Sequence, residues 1–325
     1  MRRARIAGVG GGLPPTVLEN ADLETELGVE PGWIEARTGI RSRRILRADE
    51  SIVDLAEAAA REALETAGLR PTDLDAVVCA TTSAPWQFPS LACLLHDRLG
   101  VADAPAFDVA AACTGFIYAL SVAEQGIRVA DYQRVLVVGA DALSQVCDPA
   151  DRTTRALFGD GAGAVVLVAE PGDSGRGVLS VRLRAAGSAW ALLTLPAGLR
   201  RPESFVAGVD PWMRMKGQEV FRFAVDQLVA LTHDVLSQAG STPGDVDLFV
   251  PHQANLRIIR MVALQLGIEQ DRFVQNLESC GNTSAASIPL ALAAALAAGR
   301  IAPGQLVVLG AVGGGMTAGA AALLW

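Results

Sequence analysis

The segment Asp73-Leu74-Asp75-Ala76-Val77-Val78 returns later in the chain as Asp245-Val246-Asp247-Leu248-Phe249-Val250. Each copy follows a segment of helical spacing that ends in Ala-Gly, and the two Ala-Gly pairs, at 67–68 and 239–240, lie 172 positions apart. Further along, the apolar run at 134–140 is matched by a run at 305–311. The sequence therefore indicates that the protein contains two copies of one helix–strand series.

Both copies alternate short apolar runs with amphipathic segments. The apolar runs lack polar alternation, which is typical of strands that are covered on both faces. Helical spacing covers Ser51 to Ala67 and Glu219 to Ala239. We therefore predict a layered α/β protein whose two similar halves pack on each other. The predicted strands include residues 77–78, 135–138, 165–168, 249–250 and 307–309.

The predicted boundaries between the halves follow from composition. The first half spans residues 1–171 and the second spans residues 217–325. Residues 172–216 are rich in Gly, Pro and Arg, which is typical of a connecting segment. The run from Val178 to Leu183 predicts a short hairpin within this segment. The two halves are expected to share their core and to form one folding unit.

Charge and composition exclude several classes of protein. The 325 residues include 27 Lys and Arg against 35 Asp and Glu, for a formal net charge of −8, which disfavours non-specific binding to nucleic acid or to an anionic membrane. We see no signal sequence at the start, and no apolar stretch approaches the roughly 20 residues of a membrane span. The Ala-rich run from Ile288 to Ala298 predicts a buried helix instead. Five cysteines with neither disulfide-like nor zinc-ligand spacing predict unpaired thiols, no metal site and a cytoplasmic location.

One of the three histidines lies where α/β folds place their ligands. His96 and His233 fall inside helical runs, where a surface or half-buried position is the simplest interpretation. His252 follows the apolar run Leu248-Phe249-Val250-Pro251 and precedes Gln253-Ala254-Asn255. It therefore lies at the carboxyl end of a predicted strand. We predict a catalytic role for His252, and the alternative is a loop histidine without such a role.

One of the five cysteines has a position that favours reactivity. Cys79 and Cys93 fit core positions, and Cys147 lies in a loop. Cys113 lies at the turn between a predicted strand and an apolar helix that begins near Gly115. We expect the helix dipole and the free N–H groups at this helix start to lower the pKa of the thiol. Cys113 is therefore predicted to be a nucleophile, and the alternative is a small core residue at a tight turn.

Two further segments carry candidate polar groups for the same cleft. The segment Gly281-Asn282-Thr283-Ser284-Ala285-Ala286-Ser287-Ile288-Pro289 follows an apolar strand predicted at 273–274 and opens the Ala-rich helix. This segment has roughly the position in the second half that Cys113 has in the first. Asn282 could therefore offer an amide donor to the same cleft, and the alternative is that Asn282 is the N-cap of the following helix. The run Gly313-Gly314-Gly315-Met316 could present backbone N–H groups to a substrate oxygen, with a plain turn as the alternative.

Six motifs together carry a resemblance to a known family. They are Trp33-Ile34 with Arg37-Thr38-Gly39-Ile40-Arg41, Ala111-Ala112-Cys113-Thr114-Gly115-Phe116, Asp148-Pro149-Ala150-Asp151-Arg152, Phe158-Gly159-Asp160-Gly161-Ala162-Gly163-Ala164, Pro251-His252-Gln253-Ala254-Asn255 and Gly281-Asn282-Thr283-Ser284-Ala285-Ala286-Ser287. With them, nearly the whole chain resembles the β-ketoacyl-acyl-carrier-protein synthase III family, condensing enzymes of the thiolase superfamily that start fatty acid synthesis. The last two motifs are highly specific when they occur together with the cysteine.

The resemblance implies a fold and a reaction. The fold is a thiolase-like, five-layered α-β-α-β-α sandwich of two duplicated halves. The reaction is the decarboxylative condensation of a short acyl-CoA primer with malonyl-acyl-carrier protein to a 3-oxoacyl-acyl-carrier protein. Cys113 is implied to be the acylated nucleophile, and His252 and Asn282 are implied to complete a Cys-His-Asn triad. The backbone N–H groups of Cys113 and Gly314 are implied to form the oxyanion hole.

The resemblance also implies binding residues and partners. Trp33 and Arg152 resemble the pair that sandwiches the adenine of coenzyme A, and Arg37 the residue that meets its phosphates. The partners implied are acyl-CoA, acyl carrier protein and a second copy of the chain, with no cofactor besides the coenzyme A thioester used as substrate. The implied coenzyme A contacts are Trp33, Arg37, Arg152, Gly217, Phe221, Ala254 and Asn255, the implied acyl pocket comprises Phe88, Leu143, Phe158, Leu193, Met213 and Val312, and the implied carrier-docking residues are Arg222 and Arg257.

Departures from the family pattern leave the primer open. Val312 stands where the family often has Phe, and Cys280 stands where it often has Tyr, His or Phe. The loop Trp86-Gln87-Phe88 is bulky, and it resembles the dimer-contact segment that closes the partner's acyl pocket in the family. Trp190 and Trp212 are further candidates for the wall of the acyl pocket. Acetyl-CoA is the simplest primer, and a branched, longer or unusual acyl group is the alternative.

Two other functions remain open on the sequence. A primer-loading ketosynthase or acyltransferase of a specialised polyketide pathway could keep every motif and differ only in its substrate. A non-catalytic acyl-CoA-binding subunit is the alternative from another class, but such relatives typically lose the nucleophile, and Cys113 is present.

Overall fold

The computed structural model describes residues 2–172, 174–196 and 211–325. Short 3₁₀ turns at Ala112–Thr114 and Ser284–Ala286 lead directly into two of its helices. The strands are β1 (Arg2–Gly12), β2 (Val17–Glu19), β3 (Ser42–Arg44), β4 (Ala76–Ala80), β5 (Ala106–Val109), β6 (Arg134–Ala142), β7 (Asp160–Pro171), β8 (Gly177–Ala185), β9 (Leu193–Thr194), β10 (Arg214–Met215), β11 (Leu248–Pro251), β12 (Leu306–Gly313) and β13 (Thr317–Leu324). The helices are α1 (Asn20–Leu27), α2 (Trp33–Thr38), α3 (Ile52–Ala67), α4 (Leu91–Leu99), α5 (Gly115–Arg128), α6 (Arg152–Arg155), α7 (Gly217–Gln238), α8 (Leu256–Leu266), α9 (Leu277–Cys280) and α10 (Ser287–Ala297).

The two large sheets have the same internal strand order. The first has the order β1-β7-β6-β4-β5, and the second has the order β8-β13-β12-β11. Neighbouring strands are parallel in the pairs β4–β5, β4–β6 and β11–β12 and antiparallel in the other pairs. A fifth position beside β11 holds only a bridge, in which Phe273 pairs in parallel with Phe249. The matching order confirms the predicted duplication.

Two local predictions are wrong. The run from Val178 to Leu183 is not a hairpin, because it lies in the single strand β8, which pairs antiparallel with β13. The apolar pair at 273–274 is not a full strand, because only one bridge and one hydrogen bond from the Val274 N–H to the Phe249 carbonyl tie it to β11. The first correction places a strand of the second sheet inside the segment predicted to connect the halves. Residues 197–210 of that segment lie outside the described residues.

The sheets and helices form five layers. Helices α5 and α10 pack between the two sheets, α3 and α4 cover the outer face of the first sheet, and α7 and α8 cover the outer face of the second. Alternate residues of β6 serve opposite faces, since Val135 and Val137 belong to the central core whereas Leu136 and Val138 belong to the outer one. Burial on both faces explains why these strands are continuously apolar in sequence. The predicted five-layered α/β sandwich is confirmed.

The small residues of the sequence allow very close packing between layers. Helix α3 begins after Ser51, whose hydroxyl accepts a hydrogen bond from the Val53 N–H, and ends at Gly68 in the left-handed conformation. The backbone of α3 lies so close to β1 that a Cβ on Gly10 would come within 2.2 Å of the Ala59 carbonyl oxygen. The glycines at 8–12 are therefore strand residues that admit a helix at close range.

The Ala-rich run near the carboxyl terminus forms the predicted buried helix. It is α10, in which seven of the eleven residues are buried, among them all of the first six. Within the described residues, no helix has both the length and the apolar character that crossing a bilayer requires.

Candidate active site

Cys113 lies at the start of the central helix α5, in the 3₁₀ turn that joins β5 to this helix. Its side chain is buried, and the Ser284 hydroxyl donates a hydrogen bond to its sulfur at 3.3 Å. Ala112 has the left-handed φ of 46°, and Ser284 has a φ of 50°. Ala112 and Ser284 lie 172 positions apart, so the two halves repeat the same unusual backbone turn at the point where they meet. The turn thus presents Cys113 from one half and the 282–284 segment from the other.

Burial is the largest influence on the pKa of the Cys113 thiol, the predicted nucleophile. Loss of water raises the pKa of the Cys113 thiol to about 12, the Ser284 hydrogen bond acts in the opposite direction, and the Asp141 carboxylate raises the pKa further. The sequence-based expectation of a lowered pKa is therefore wrong for this structure, because desolvation of the thiolate outweighs the helix start and the hydroxyl. Burial likewise lowers the pKa of His252 to about 4. Thiol and imidazole are both neutral at pH 7.

This neutral pair predicts a simple pH dependence for alkylation of Cys113. Because only the thiolate reacts and its pKa is about 12, we expect the rate constant with iodoacetamide to rise about tenfold per pH unit between about pH 7 and pH 10. Cys93 is exposed, so the predicted core position is wrong for it, and the measurement uses the Cys93→Ser background to remove this thiol. The same background with Cys113→Ala gives the residual rate. A rate that is already constant above about pH 7 would show a thiolate–imidazolium pair and contradict this prediction.

His252 lies just beyond the carboxyl end of β11, as predicted. Its backbone N–H donates to the Gly310 carbonyl of β12 at 2.7 Å, and its ring Nδ1 lies 2.9 Å from the Ser287 hydroxyl. The following Gln253 side chain is fully buried and holds the loop, since its amide donates to the Pro251 carbonyl and its oxygen accepts from the Leu277 N–H. The imidazole is therefore held on a rigid strand end with one nitrogen tied to the protein.

Asn282 is fixed through both its backbone and its side chain. Its N–H donates to the Leu157 carbonyl at 2.9 Å, and its carbonyl accepts from the Gly159 N–H at 3.0 Å. Its Oδ1 accepts the Ser284 N–H at 2.9 Å, which ties the side chain to the first residue of the 3₁₀ turn that precedes α10. This contact assigns the amide orientation, and it leaves the NH₂ group of a cavity-lining residue as the possible donor. The alternative of an N-cap role is wrong, because Thr283 and Ala286 are the N-cap residues of the 3₁₀ turn and of α10.

The structure brings Cys113, His252 and Asn282 together in one cavity of about 520 Å³. Seven residues predicted to contact coenzyme A and three predicted for the acyl pocket line the same cavity. Its walls therefore join the two halves of the protein at the carboxyl ends of their strands. These lining residues are Trp33, Arg37, Arg152, Gly217, Phe221, Ala254, Asn255, Phe158, Leu193 and Val312.

The glycine run after β12 lies against the turn that carries the cysteine. A Cβ on Gly313 would come within 2.8 Å of the Cys113 backbone nitrogen, and Gly314 lies beside Ala112 and Leu193. The Thr317 hydroxyl links the two loops, because it lies 3.3 Å from the Ala111 carbonyl and 3.0 Å from the Gly314 carbonyl. The predicted oxyanion-hole residues are thus neighbours, and their role stays a prediction.

A tryptophan with two guanidinium groups marks the mouth of the cavity. The Arg37 and Arg152 guanidinium carbons lie 4.5 Å and 5.6 Å from the centroid of the Trp33 ring, within the range of a cation–π contact. The buried Glu24 carboxylate holds α2 in place by accepting the N–H groups of Gly32 and Ile34, both at 2.9 Å. The mouth therefore combines a flat aromatic surface with positive charge on a fixed helix.

Three residues predicted for the acyl pocket do not line this cavity. Leu143 and Met213 are buried in the adjoining apolar cluster that also contains Phe158. They pack in the same cluster as the wall residue Phe158, and their contact with the acyl group stays a prediction. Phe88 is 83% exposed and lies away from the cavity, so its predicted contact depends on a second copy. Trp190, at 63% exposure, is also not a wall residue.

The two residues predicted to dock a carrier protein have different positions. Arg257, at the start of α8, borders the cavity, and its guanidinium donates to the Ala36 carbonyl at 2.9 Å. Arg222 is exposed on α7 and does not line the cavity. In the described residues, no group of His, Cys, Asp and Glu side chains is arranged to hold a metal ion.

Sequence reasoning missed several supporting residues. Ser284 and Ser287 were part of a quoted motif, but their contacts with Cys113 and His252 arise only in the fold. Arg43 is fully buried and donates to the Ala156 carbonyl, beside the segment that pairs with Asn282, and burial lowers its pKa to about 10. Its short strand β3 gave no sequence signal, since an arginine there resembles a surface residue.

Comparisons with known proteins agree with this architecture. Residues 107–187 match the family model for 3-oxoacyl-(acyl-carrier-protein) synthase III, and residues 236–325 match the model for its C-terminal part. The chain is 47% identical, over 98% of both sequences, to beta-ketoacyl-(acyl-carrier-protein) synthase III 1 of Vibrio parahaemolyticus.

Solved structures show the same similarity. The chain superposes on the 3-oxoacyl-(acyl-carrier-protein) synthase III of Aquifex aeolicus with a TM-score of 0.92 and 42% identity, covering 99% of this chain and 100% of the other. It superposes on the priming β-ketosynthase of a polyketide biosynthetic pathway with a TM-score of 0.93 and 37% identity, covering 99% and 96%. The chain therefore belongs to the β-ketoacyl-acyl-carrier-protein synthase III family.

Proposed function

We propose that this protein catalyses the decarboxylative condensation of a short acyl-CoA primer with malonyl-acyl-carrier protein, giving a 3-oxoacyl-acyl-carrier protein at the start of fatty acid synthesis. The observation that carries this proposal is the convergence of a thiol, an imidazole and an amide in one cavity whose mouth is aromatic and cationic. Membership in the synthase III family supports it. The enzyme is then an acyltransferase.

In the first half-reaction, the Cys113 sulfur attacks the carbonyl carbon of the acyl-CoA. The S–H proton is released, the C–S bond to coenzyme A breaks, and the departing thiolate takes up a proton to leave as free coenzyme A. The new bond is again a thioester, so the step changes little in bond energy. The backbone N–H groups of Cys113 and Gly314 would hold the oxyanion that forms on the carbonyl oxygen, where each donor contributes roughly 3–4 kcal/mol.

In the second half-reaction, malonyl-carrier thioester loses CO₂ and leaves an enolate. The negative charge develops on the thioester oxygen, where two neutral donors, the His252 ring N–H and the Asn282 NH₂ group, stabilise it. Neutral donors suit this step because a stronger acid would protonate the carbanion. The carbanion attacks the acyl-Cys113 carbonyl, a C–C bond forms, and the Cys113 thiolate leaves and takes up one proton. In sum, acyl-CoA, malonyl carrier and a proton give 3-oxoacyl carrier, CO₂ and coenzyme A.

The cavity mouth supplies the recognition of coenzyme A. An adenine could stack on Trp33, and the guanidinium groups of Arg37 and Arg152 offer charge for the phosphates. Inserting the purine between Trp33 and Arg152 requires Arg152 to swing outward, which its exposed position on α6 permits. The basic residues Arg222 and Arg257 could steer an acidic carrier protein although the net charge of the chain is −8.

Replacing Trp33 by Ala should mainly weaken acyl-CoA binding. Loss of a stacking surface worth about 1–3 kcal/mol predicts a rise of about tenfold or more in KM for acyl-CoA, with the malonyl-dependent step changed less than about threefold. Steady-state kinetics with each substrate varied separately measure both values. Trp190→Ala is the matched control, because Trp190 is exposed and does not line the cavity. Equal effects of the two substitutions would contradict the assignment of Trp33.

The assembly and the setting are part of the same proposal. We expect a homodimer in which the loop 86–88 of each copy reaches the other, because Trp86 and Phe88 are 62% and 83% exposed apolar side chains on this loop. The condensation as written needs no metal or organic cofactor, and the enzyme is expected to work in the cytoplasm.

The experiment that tests the function is intact-mass spectrometry of the protein with a panel of acyl-CoA thioesters. One acyl group should be added to the wild-type protein, and malonyl-carrier protein should then remove it with release of CO₂ and formation of a 3-oxoacyl carrier. The cavity is lined by Val312, Leu193 and Phe158. The length of the preferred acyl chain therefore reports how much space these side chains leave for the acyl group. Acylation that malonyl carrier never discharges would overturn the proposal.

A primer-loading role in a polyketide pathway is the second candidate. It is favoured by the close superposition on a priming β-ketosynthase, at a TM-score of 0.93. The same panel separates the two functions, since a preference for an unusual primer together with a polyketide carrier protein as acceptor supports the second. A non-catalytic acyl-CoA-binding subunit would show binding without turnover.

A further inference from the structure

Ser287 is the first residue of α10. Its hydroxyl lies between the imidazole of His252 and the backbone N–H of Gln253. Its hydroxyl oxygen is 2.9 Å from His252 Nδ1 and accepts the Gln253 N–H at 2.7 Å. Ser287 is fully buried, and His252 is nearly so. The hydroxyl is thus enclosed with two nitrogen partners, one of which can only donate.

The number of available hydrogens decides whether Ser287 or His252 donates in the contact between the Ser287 hydroxyl and His252 Nδ1. The hydroxyl has one hydrogen, and among the described residues His252 Nδ1 is the acceptor within reach of it. If Nδ1 carried a proton and donated to Ser287, the hydroxyl would receive two N–H groups and its own hydrogen would be left without an acceptor. A buried unpaired donor is disfavoured by about 1–3 kcal/mol. Nδ1 is therefore the bare nitrogen.

The remaining nitrogen then carries the ring proton. Burial lowers the pKa of His252 to about 4, so the imidazole is neutral at pH 7 and holds one N–H. With Nδ1 accepting from Ser287, that N–H is at Nε2. Because His252 lines the cavity and Nδ1 is engaged behind it, Nε2–H is the polar group that the ring presents to a substrate.

We propose that Ser287 is a positioning residue that fixes His252 in the Nε2–H tautomer, so that the ring enters the reaction as a hydrogen-bond donor. This inference rests on the proposed function, in which His252 donates to the enolate oxygen. It adds that His252 does not take the Cys113 proton through Nε2, because that nitrogen is already protonated. Ser287 should then matter for the malonyl-dependent step and little for acylation of Cys113.

The first test observes the tautomer directly. The protein has three histidines, so ¹⁵N-histidine labelling gives three ring spectra, and the set that is lost in His252→Asn assigns His252. Long-range ¹H–¹⁵N correlation spectra of the wild-type protein at pH 7 should show His252 protonated at Nε2. Spectra that show mainly Nδ1–H overturn the inference, whether or not the enzyme is active.

Ser287→Ala tests whether the hydroxyl sets this state. We expect the Nδ1–H form to become populated in this variant, and we expect the His252 signals to be unchanged in Ser180→Ala. Ser180 is a suitable control, because its buried hydroxyl donates to the Val235 carbonyl, away from the cavity. If Ser287→Ala keeps the pure Nε2–H form, Ser287 does not fix the tautomer and the inference fails.

Half-reaction kinetics separate positioning from general damage. We expect Ser287→Ala to slow the malonyl-dependent discharge of acyl-Cys113 by about 10- to 100-fold and to change the acylation rate by less than about threefold. Ser287→Thr keeps the hydroxyl and should therefore recover the Nε2–H form and most of the discharge rate. If the Thr variant does not fold, the result for Ser287→Ala alone decides whether the inference holds. Equal slowing of both half-reactions contradicts the inference. An Nε2–H His252 in a protein that never condenses would instead overturn the proposed function and leave the tautomer assignment standing.

Discussion

Replacing Cys113 by Ala is expected to abolish acyl-enzyme formation and to lower the condensation rate by at least about 10⁴-fold. Among the described residues that line the cavity, Cys113 is the one whose side chain can hold the primer as a thioester while the second substrate enters. The hydrogen bond from Ser284 at 3.3 Å fixes its sulfur. Intact-mass spectrometry after incubation with acyl-CoA measures the first effect, and release of the 3-oxoacyl carrier measures the second.

The Cys113→Ala variant should lose condensation but retain decarboxylation of the malonyl group. His252 and Asn282 keep their hydrogen bonds to Ser287 and Ser284, so Cys113→Ala should still decarboxylate malonyl-carrier protein without forming a C–C bond. Cys280→Ala is the matched control, because Cys280 is a buried thiol that does not line the cavity. Continued acylation of the Cys113→Ala protein at another residue would show that the assigned nucleophile is wrong.

Replacing Asn282 by Asp should be the next most damaging change. The side chain keeps its shape, and one carboxylate oxygen can still accept the Ser284 N–H. The NH₂ donor, however, becomes an acceptor with negative charge beside the developing enolate. Since the loss of one such donor costs about 10²- to 10³-fold and the new charge is repulsive, we expect a fall of about 10³-fold or more in malonyl-dependent turnover.

This effect should be confined to the second half-reaction. Acylation of Cys113 should fall by less than about tenfold, because Asn282 has no part in that step as proposed. Asn276→Asp, which makes the same change nearby at a residue that does not line the cavity, should leave both rates near wild type. Single-turnover measurement of each half-reaction provides the comparison, and a larger loss in acylation than in decarboxylation would exclude the donor role.

Individual residues show how far sequence reasoning reaches at the site. His252 could be singled out because it follows an apolar strand, and Cys113 because it starts a helix, and both are local features. The acidity of Cys113 could not be predicted in this way. Local sequence indicates a helix start, which lowers the pKa of a thiol, whereas burial in the folded protein raises the pKa of Cys113 to about 12.

The acyl pocket shows the same limit in another form. Both Phe158 and Leu143 are apolar residues that become buried, yet Phe158 lines the cavity and Leu143 packs in the adjoining apolar cluster. Phe158 is joined by a bridge to Asn282, which also lines the cavity. That bridge joins residues 124 positions apart, so no local pattern reports it.

The duplication and the layered architecture are determined by the sequence itself, because strands buried on both faces must be continuously apolar and repeated segments fold alike. The repeat also places the segments that carry Cys113 and Asn282 at corresponding turns of the two halves. Only the tertiary structure decides that Ser284 meets the sulfur and Ser287 meets the imidazole. These contacts join residues 171 and 35 positions apart. The first forms because the two central helices begin side by side, so desolvation and hydrogen bonding act across the halves. The second forms because β11 ends beside the start of α10 within the second half.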